Sequence, residues 1–268
     1  MSESPHVGLK ESGNNPDDLV ETLAERALKV VATHKGPRLA DPKIVARLVA
    51  VATSRERAGF GPAVAEIQRQ GIRCEEIADL YVPAVARALG EAWVDDGMGF
   101  AMVTIGCSRL HALLRDLGPE WRADSMAPAN APSVLVLACA DAQHTLGATL
   151  LTGQLRRRGL SVRILVDAQG SDVAEVLRKA HFDGVLISVA AGDPLEVARK
   201  LVATVRRAPA PVPPVVIGGS ILGSRHVDVN DILRITGATM ATNVASEALD
   251  HCGIRTGFRS APHSVRRN

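Results

Sequence analysis

With 268 residues, 46% hydrophobic and 22% charged, the chain has the composition of a soluble globular protein with room for one large domain or two ordinary ones, two being the better fit. A net charge of +2 gives no global reason to expect nucleic acid. No uncharged apolar run approaches the roughly 18 residues of a membrane span, and Cys74, Cys107, Cys139 and Cys252 form no C-x-x-C pair, so a cytoplasmic protein with reduced core thiols and no membrane partner is expected.

Residues 1–15 are polar, lack periodicity and read as a mobile arm. Asn15-Pro16-Asp17-Asp18 opens a helix with a capping residue, a proline in the first turn and acids at the positive end of the dipole. Helical pattern then continues to about residue 118, cut by Gly36-Pro37, Gly59 to Pro62 and Gly71. In its last helix Phe100, Val103, Thr104, Cys107, Leu110, Leu114 and Leu117 recur at spacings of three and four, which predicts one apolar face. Residues 16–118 therefore read as a helical bundle, and 119–132, with Pro119, Pro128 and Pro132, as a linker.

From residue 133 the pattern changes class. Short β-branched runs at Ser133–Ala138, Val162–Val166, Gly184–Ser188 and Val215–Gly218 alternate with helical segments, which predicts a parallel sheet covered by helices on both faces. A fifth strand near Ala238–Ala241 and a helix over Asn243–Cys252 complete a flavodoxin-like, Rossmann-type α/β domain at 133–252. Residues 253–268 carry Arg255, Arg259, Arg266 and Arg267 with no acid and read as a basic, solvated tail.

Three short elements fall where these strands end: His144-Thr145-Leu146-Gly147, Ser188-Val189-Ala190, and Gly218-Gly219. Strand ends are where open α/β sheets bind ligands. Alone, His144 reads equally as a loop histidine bonded to backbone, and Gly218-Gly219 as a strand-to-helix turn. Together they describe an imidazole beside a narrow slot lined by small residues.

This constellation resembles the cobalamin-binding domain family, whose pattern is D-x-H-x-x-G, then S-x-L, then G-G at closely similar spacing. Here it stands as Ala142-Gln143-His144-Thr145-Leu146-Gly147, Ser188-Val189-Ala190 and Gly218-Gly219, so Asp and Leu are replaced. The resemblance implies that His144 is the lower axial ligand of the metal, replacing the cofactor's own base. It also implies that Ser188, Val189, Gly218 and Gly219, with the Thr145-Leu146-Gly147 segment, line the slot for the displaced nucleotide tail. A neutral imidazole suits that role chemically. In corrinoid methyltransferases the Asp of D-x-H adjusts the histidine as cobalt changes oxidation state; Ala142 cannot, and this points away from turnover.

The stretch Leu89 to Asp96 followed by Phe100 and Val103-Thr104 resembles the helical cap preceding such domains, in which an aromatic residue, here Trp93, covers the upper face of the corrin together with Val103. The bland alternative for Trp93 is packing against the bundle. In cobalamin photoreceptor repressors a tryptophan is followed after nine residues by Glu-His, the histidine ligating cobalt after light; here that position holds Val103-Thr104. A helix-turn-helix module of the photoreceptor kind is absent from the sequence. The resemblance therefore narrows to the AerR/PpaA group of photosynthesis antirepressors, and implies a light-responsive, non-enzymatic regulator that binds hydroxo- or adenosylcobalamin and acts on a separate transcriptional repressor of photosystem genes. Direct DNA contact is not expected. His6 is a weak candidate for an upper ligand, and His111 reads as packing or surface. The alternatives are a haem-binding redox sensor on the same fold, a corrinoid protein of a methyltransferase system, and an adaptor without cofactor.

Overall fold

In the computed structural model, residues 39–54, 59–118, 127–128, 130–139, 145–224 and 227–255 are described. The predicted arm, the helix opening at Asn15, most of the linker, the basic tail beyond Arg255, and His6, Ala142 and His144 lie outside them. The first described helix, α1 (Pro42–Thr53), starts as its sequence dictates: Asp41 Oδ1 accepts the Lys43 N–H at 2.8 Å, and Pro42 occupies a position where no N–H is needed. Helix α2 (Gly61–Arg69) opens on Gly61-Pro62, and Gly71 leaves it at a φ of 84°.

Next come α3 (Cys74–Glu76), a π-helical turn (Ile77–Tyr81) and α4 (Val82–Val94), joined through residues that stay in helical geometry. Pro83 explains the π-turn, because it has no N–H to offer the carbonyl one turn back and the ladder widens there, Val82 N–H reaching Ile77 O. The sequence cuts miss the break after α4, where Asp96 takes a φ of 55° before α5 (Phe100–Asp116) begins.

Leu48, Ile67, Ile77, Leu89, Leu110 and Leu114 form the centre of this helical layer, each no more than 1% exposed. At the α4–α5 crossing a Cβ on Gly106 would lie 2.8 Å from Leu89 Cδ1, so the glycine lets the two helices close. Arg109 Nη1 donates to the carbonyls of Val51, Ala52 and Ser54, tying α5 to the open end of α1. The apolar face predicted for α5 is only half used. Leu110, Leu114 and Leu117 are buried, whereas Phe100 is 60% exposed because the layer covers the C-terminal half of the helix and leaves its start protruding.

The second layer is a five-stranded parallel sheet, ordered β2-β1-β3-β4-β5: β1 (Ser133–Ala138), β2 (Ser161–Leu165), β3 (Gly184–Ser188), β4 (Val215–Gly218) and β5 (Met240–Ala241). Helices α6 (Leu146–Arg157), α7 (Gly170–Lys179), α8 (Leu195–Arg206), α9 (Val229–Thr236) and α10 (Ala245–His251) connect or follow the strands. Strand β2 begins one residue earlier than its apolar run suggests and stops before Val166, where Asp167 turns at a φ of 54°.

Helix α6 belongs to both layers. Ala148 and Leu155 pack into the sheet core, Leu146 and Leu150 into the helical core, and the Arg157 guanidinium pairs with Asp79 in the π-turn. Among the described residues no helix is long and apolar enough to cross a membrane.

Candidate functional site

The strand order fixes where a ligand can sit. The chain winds from β1 outward to β2, then crosses back to β3, which puts the topological switch point of the sheet between the carboxyl ends of β1 and β3, where open α/β sheets bind ligands in a crevice. Register brings the predicted Ser188 and Gly218 together there, as direct partners across β3 and β4, with Ala138 of β1 beside Ser188. The forty residues separating Gly147 from Ser188 thus collapse to a contact between neighbours.

Helix α6 starts against this edge. A Cβ on Gly147 would stand 3.6 Å from Ser188 Oγ, so the bare glycine and the small serine hold open a gap that an ordinary side chain would fill. Gly218 and Gly219 are required by the backbone itself. Gly219 has a φ of 112°, and a Cβ there would lie 2.2 Å from Val189 O; one on Gly218 would lie 2.9 Å from Thr242 O. The turn is stitched to β3 by Val189 N–H donating to Gly218 O at 2.9 Å and Ile221 N–H donating to Val189 O at 3.3 Å. The side chain of Val189 is wholly buried, so this residue shapes the slot through its backbone.

Three side chains that sequence reasoning did not single out hold the crevice walls. Asn243 Oδ1 accepts the Gly219 N–H at 2.7 Å while its Nδ2 donates to Gly219 O at 3.1 Å, a pairing like one rung of a strand. Asp193 Oδ2 accepts from Ala190 N at 2.7 Å and Ser220 Oγ from Ala191 N at 3.0 Å. These are loop-stabilising residue types in loop positions, and only the topology shows which backbone they serve.

In the helical layer, Trp93 at the end of α4 and Phe100 at the start of α5 meet with ring centroids 6.4 Å apart at a 60° tilt. Trp93 is 51% exposed and Val94 76%, so these apolar groups are uncovered. Val103 is half-buried and leans on the helical core instead. Leu146 also packs into that core, and Thr145 is buried at the rim, its Oγ1 3.4 Å from His111 Nε2. His111, read from sequence as packing or surface, therefore stands at the rim of the crevice. Burial, and secondarily the Arg115 charge, hold its pKa below the usual imidazole value.

Cys139, the first residue beyond β1, has its thiol pushed up to about 12, first by burial and then by Asp193. Burial raises Cys107 as well. Both are held as neutral thiols at neutral pH, which leaves imidazole as the better intrinsic donor near this edge. A switch-point crevice, a slot that a Cβ would fill and an uncovered aromatic pair fit a large, flat, partly apolar cofactor with a slender appendage.

Residues 132–244 match the family model of the B12 binding domain. The chain is 40% identical over 178 residues to the "Uncharacterized 20.5 kDa protein in bchF-crtJ intergenic region" of Rhodobacter capsulatus, covering 66% of this chain and 91% of that protein. The Methanosarcina barkeri monomethylamine corrinoid protein shares its fold, with a TM-score of 0.61 at 17% identity over 79% of this chain and 98% of that one. The register of the crevice, the family match and the 40% identical relative agree: the chain belongs to the B12 binding domain family.

Proposed function

We propose that this protein is a cobalamin-dependent, light-responsive antirepressor without enzymatic activity, which binds cobalamin between its helical layer and the carboxyl edge of its sheet. The observation that carries the binding mode is the in-register trio Ala138, Ser188 and Gly218, with Ser188 Oγ 3.6 Å from where a Cβ on Gly147 would stand. Bound cobalamin would supply a metal whose bond to an exchangeable ligand light can break, and in this reading His144 would hold that metal. Gly147, Ser188 and the Gly218-Gly219 turn leave room for the displaced nucleotide tail. Trp93 and Phe100 would lie against the bound cofactor and keep water from it.

Ala142 supports a regulator over a methyl carrier. It places an aliphatic side chain where a methyltransfer protein of this family needs a carboxylate to exchange a proton with its histidine. The partner in this reading is a DNA-binding repressor in the cytoplasm, engaged through the helical layer when the cofactor's upper ligand changes.

The test is spectroscopic. Protein mixed with hydroxocobalamin or adenosylcobalamin, in the dark and after light, is followed by absorption for wild type and His144→Ala. Loss of the histidine-ligated spectrum in the variant is expected, and an unchanged spectrum refutes the ligand assignment. Capture of the repressor that does not depend on bound cofactor refutes the switching role, and haem bands in protein purified from its natural host would favour the haem sensor.

A further inference from the structure

The Gly218-Gly219 turn is pinned from both sides. Toward β3, Val189 N–H donates to Gly218 O and Ile221 N–H to Val189 O. Toward β5, Thr242 N–H donates to Ile217 O at 2.9 Å. A Cβ on Gly218 would lie 2.9 Å from Thr242 O and 3.4 Å from Asn243 Oδ1, so its bare Cα lets the loop between β5 and α10 close on the turn. That loop is itself fixed. The Thr242 hydroxyl accepts the Val244 N–H at 3.0 Å and donates to Glu247 Oε2 at 2.6 Å, which ties the end of β5 to the first turn of α10 and sets the place from which Asn243 reaches back. Asn243 then engages both the N–H and the carbonyl of Gly219. Its side chain is exposed, so packing does not hold it there. Gly219, at a φ of 112° and with no side chain, has the freest backbone in the turn, and a turn built on it needs a restraint from outside to keep one geometry.

We infer that Asn243 is a positioning residue through which the site distinguishes corrinoids with a nucleotide tail from those without one: its amide holds the Gly218-Gly219 turn in the geometry that keeps the gap beside Ser188 open. Gly218 is the register partner of Ser188, and Ser188 Oγ borders the gap left by Gly147, so any shift of the turn changes the width of that gap. A turn held in its bound geometry beforehand costs nothing to order on binding, whereas one that visits several geometries loses affinity in proportion. This rests on the proposed seating of the tail in the gap. Asn243 acts through Gly219 and needs no contact with the cofactor.

The test uses the full chain without cofactor, titrated with hydroxocobalamin and with cobinamide, a corrinoid of the same ring and cobalt that ends before the nucleotide; absorption reads each affinity. Asn243→Ala is expected to weaken cobalamin binding about tenfold and to leave cobinamide binding within about twofold of wild type, the size expected when the tail must order a turn that has lost two hydrogen bonds of ordinary strength. Asn243→Asp keeps the acceptor for the Gly219 N–H and loses the donor to Gly219 O, so an intermediate loss is expected. Because the side chain is exposed, the cofactor-free variants are expected to stay close to wild type in urea denaturation, and Asn243→Asp carries the comparison if Asn243→Ala does not fold.

Gly147→Ala, whose methyl enters the gap directly, is the control for the parent reading. If it leaves the ratio of cobalamin to cobinamide affinity as in wild type, the gap does not hold the tail, and the seating of the tail falls together with the positioning role. If it lowers that ratio while the Asn243 variants do not, the positioning role is overturned and the seating of the tail stands. An equal loss for both corrinoids in the Asn243 variants makes the amide a support of the fold alone and likewise overturns the positioning role.

Discussion

Gly147→Ala separates a glycine kept for the ligand from one kept for the fold. Gly147 lies in the first turn of α6 and has no positive φ, so alanine fits its backbone. The new methyl meets only Ser188 Oγ, at 3.6 Å, an ordinary van der Waals distance. Replacing glycine by alanine in a helix reduces the conformational freedom lost on folding, which favours the folded state by about 0.5–1 kcal/mol. The cofactor-free variant is therefore expected to be as stable as wild type or slightly more so in urea denaturation. The same methyl occupies the gap proposed for the nucleotide tail, and crowding a bound group by one methyl costs about 1–3 kcal/mol, or roughly five- to 150-fold in cobalamin affinity. Titration of the apo-protein with hydroxocobalamin reads that change. Wild-type affinity in a stable Gly147→Ala protein would show that the slot lies elsewhere, and a destabilised apo-protein would show that the glycine serves the fold.

Gly219→Ala is expected to do the reverse: a Cβ at 2.2 Å from Val189 O on a backbone with a φ of 112° cannot be relieved by a rotamer change, and a loss of about 3–5 kcal/mol in denaturation experiments follows from strain and overpacking together. Trp93→Ala is expected to change apo-stability by no more than about 1 kcal/mol, since the ring is half exposed, yet to weaken cobalamin binding and speed photolysis measured by absorption. Stability is expected to fall as pH rises above about 9. Cys139 and Cys252 have folded-state values near 12 and 11, above the ordinary 9.0, so between these values the folded chain holds protons that the unfolded chain releases. Denaturation midpoints at pH 8, 9.5 and 10.5 check the sign, and slow alkylation of the native thiols at pH 8 provides a second reading.

The strands were legible because parallel strands buried on both faces must be continuously apolar, and β1, β3 and β4 fall where their runs do. Ser188 and Gly218 were legible as strand ends, and the register then made them neighbours. The apolar period of α5 was also visible, but periodicity says which residues share a face and not how much of that face is covered, so Phe100 came out exposed. Asn243 and His111 escaped because their partners, Gly219 and Thr145, are twenty-four and thirty-four positions away in sequence. The π-turn escaped because Pro83 reads as an ordinary helix start until the helix is seen to precede it.

The double allegiance of α6 bears on how the molecule comes apart. Leu150 is buried, and Leu146 half-buried, only while the helices before residue 118 are in place, and Asp79 holds the far end of the same helix through Arg157. A polypeptide starting at Ser133 would contain every strand and the whole glycine turn, yet would present two uncovered leucines along one helix and lack Asp79 opposite Arg157. Melting of the full chain is therefore expected as a single cooperative transition across a boundary that composition draws sharply, and the isolated sheet half is expected to self-associate through the face that its own amino-terminal half normally covers.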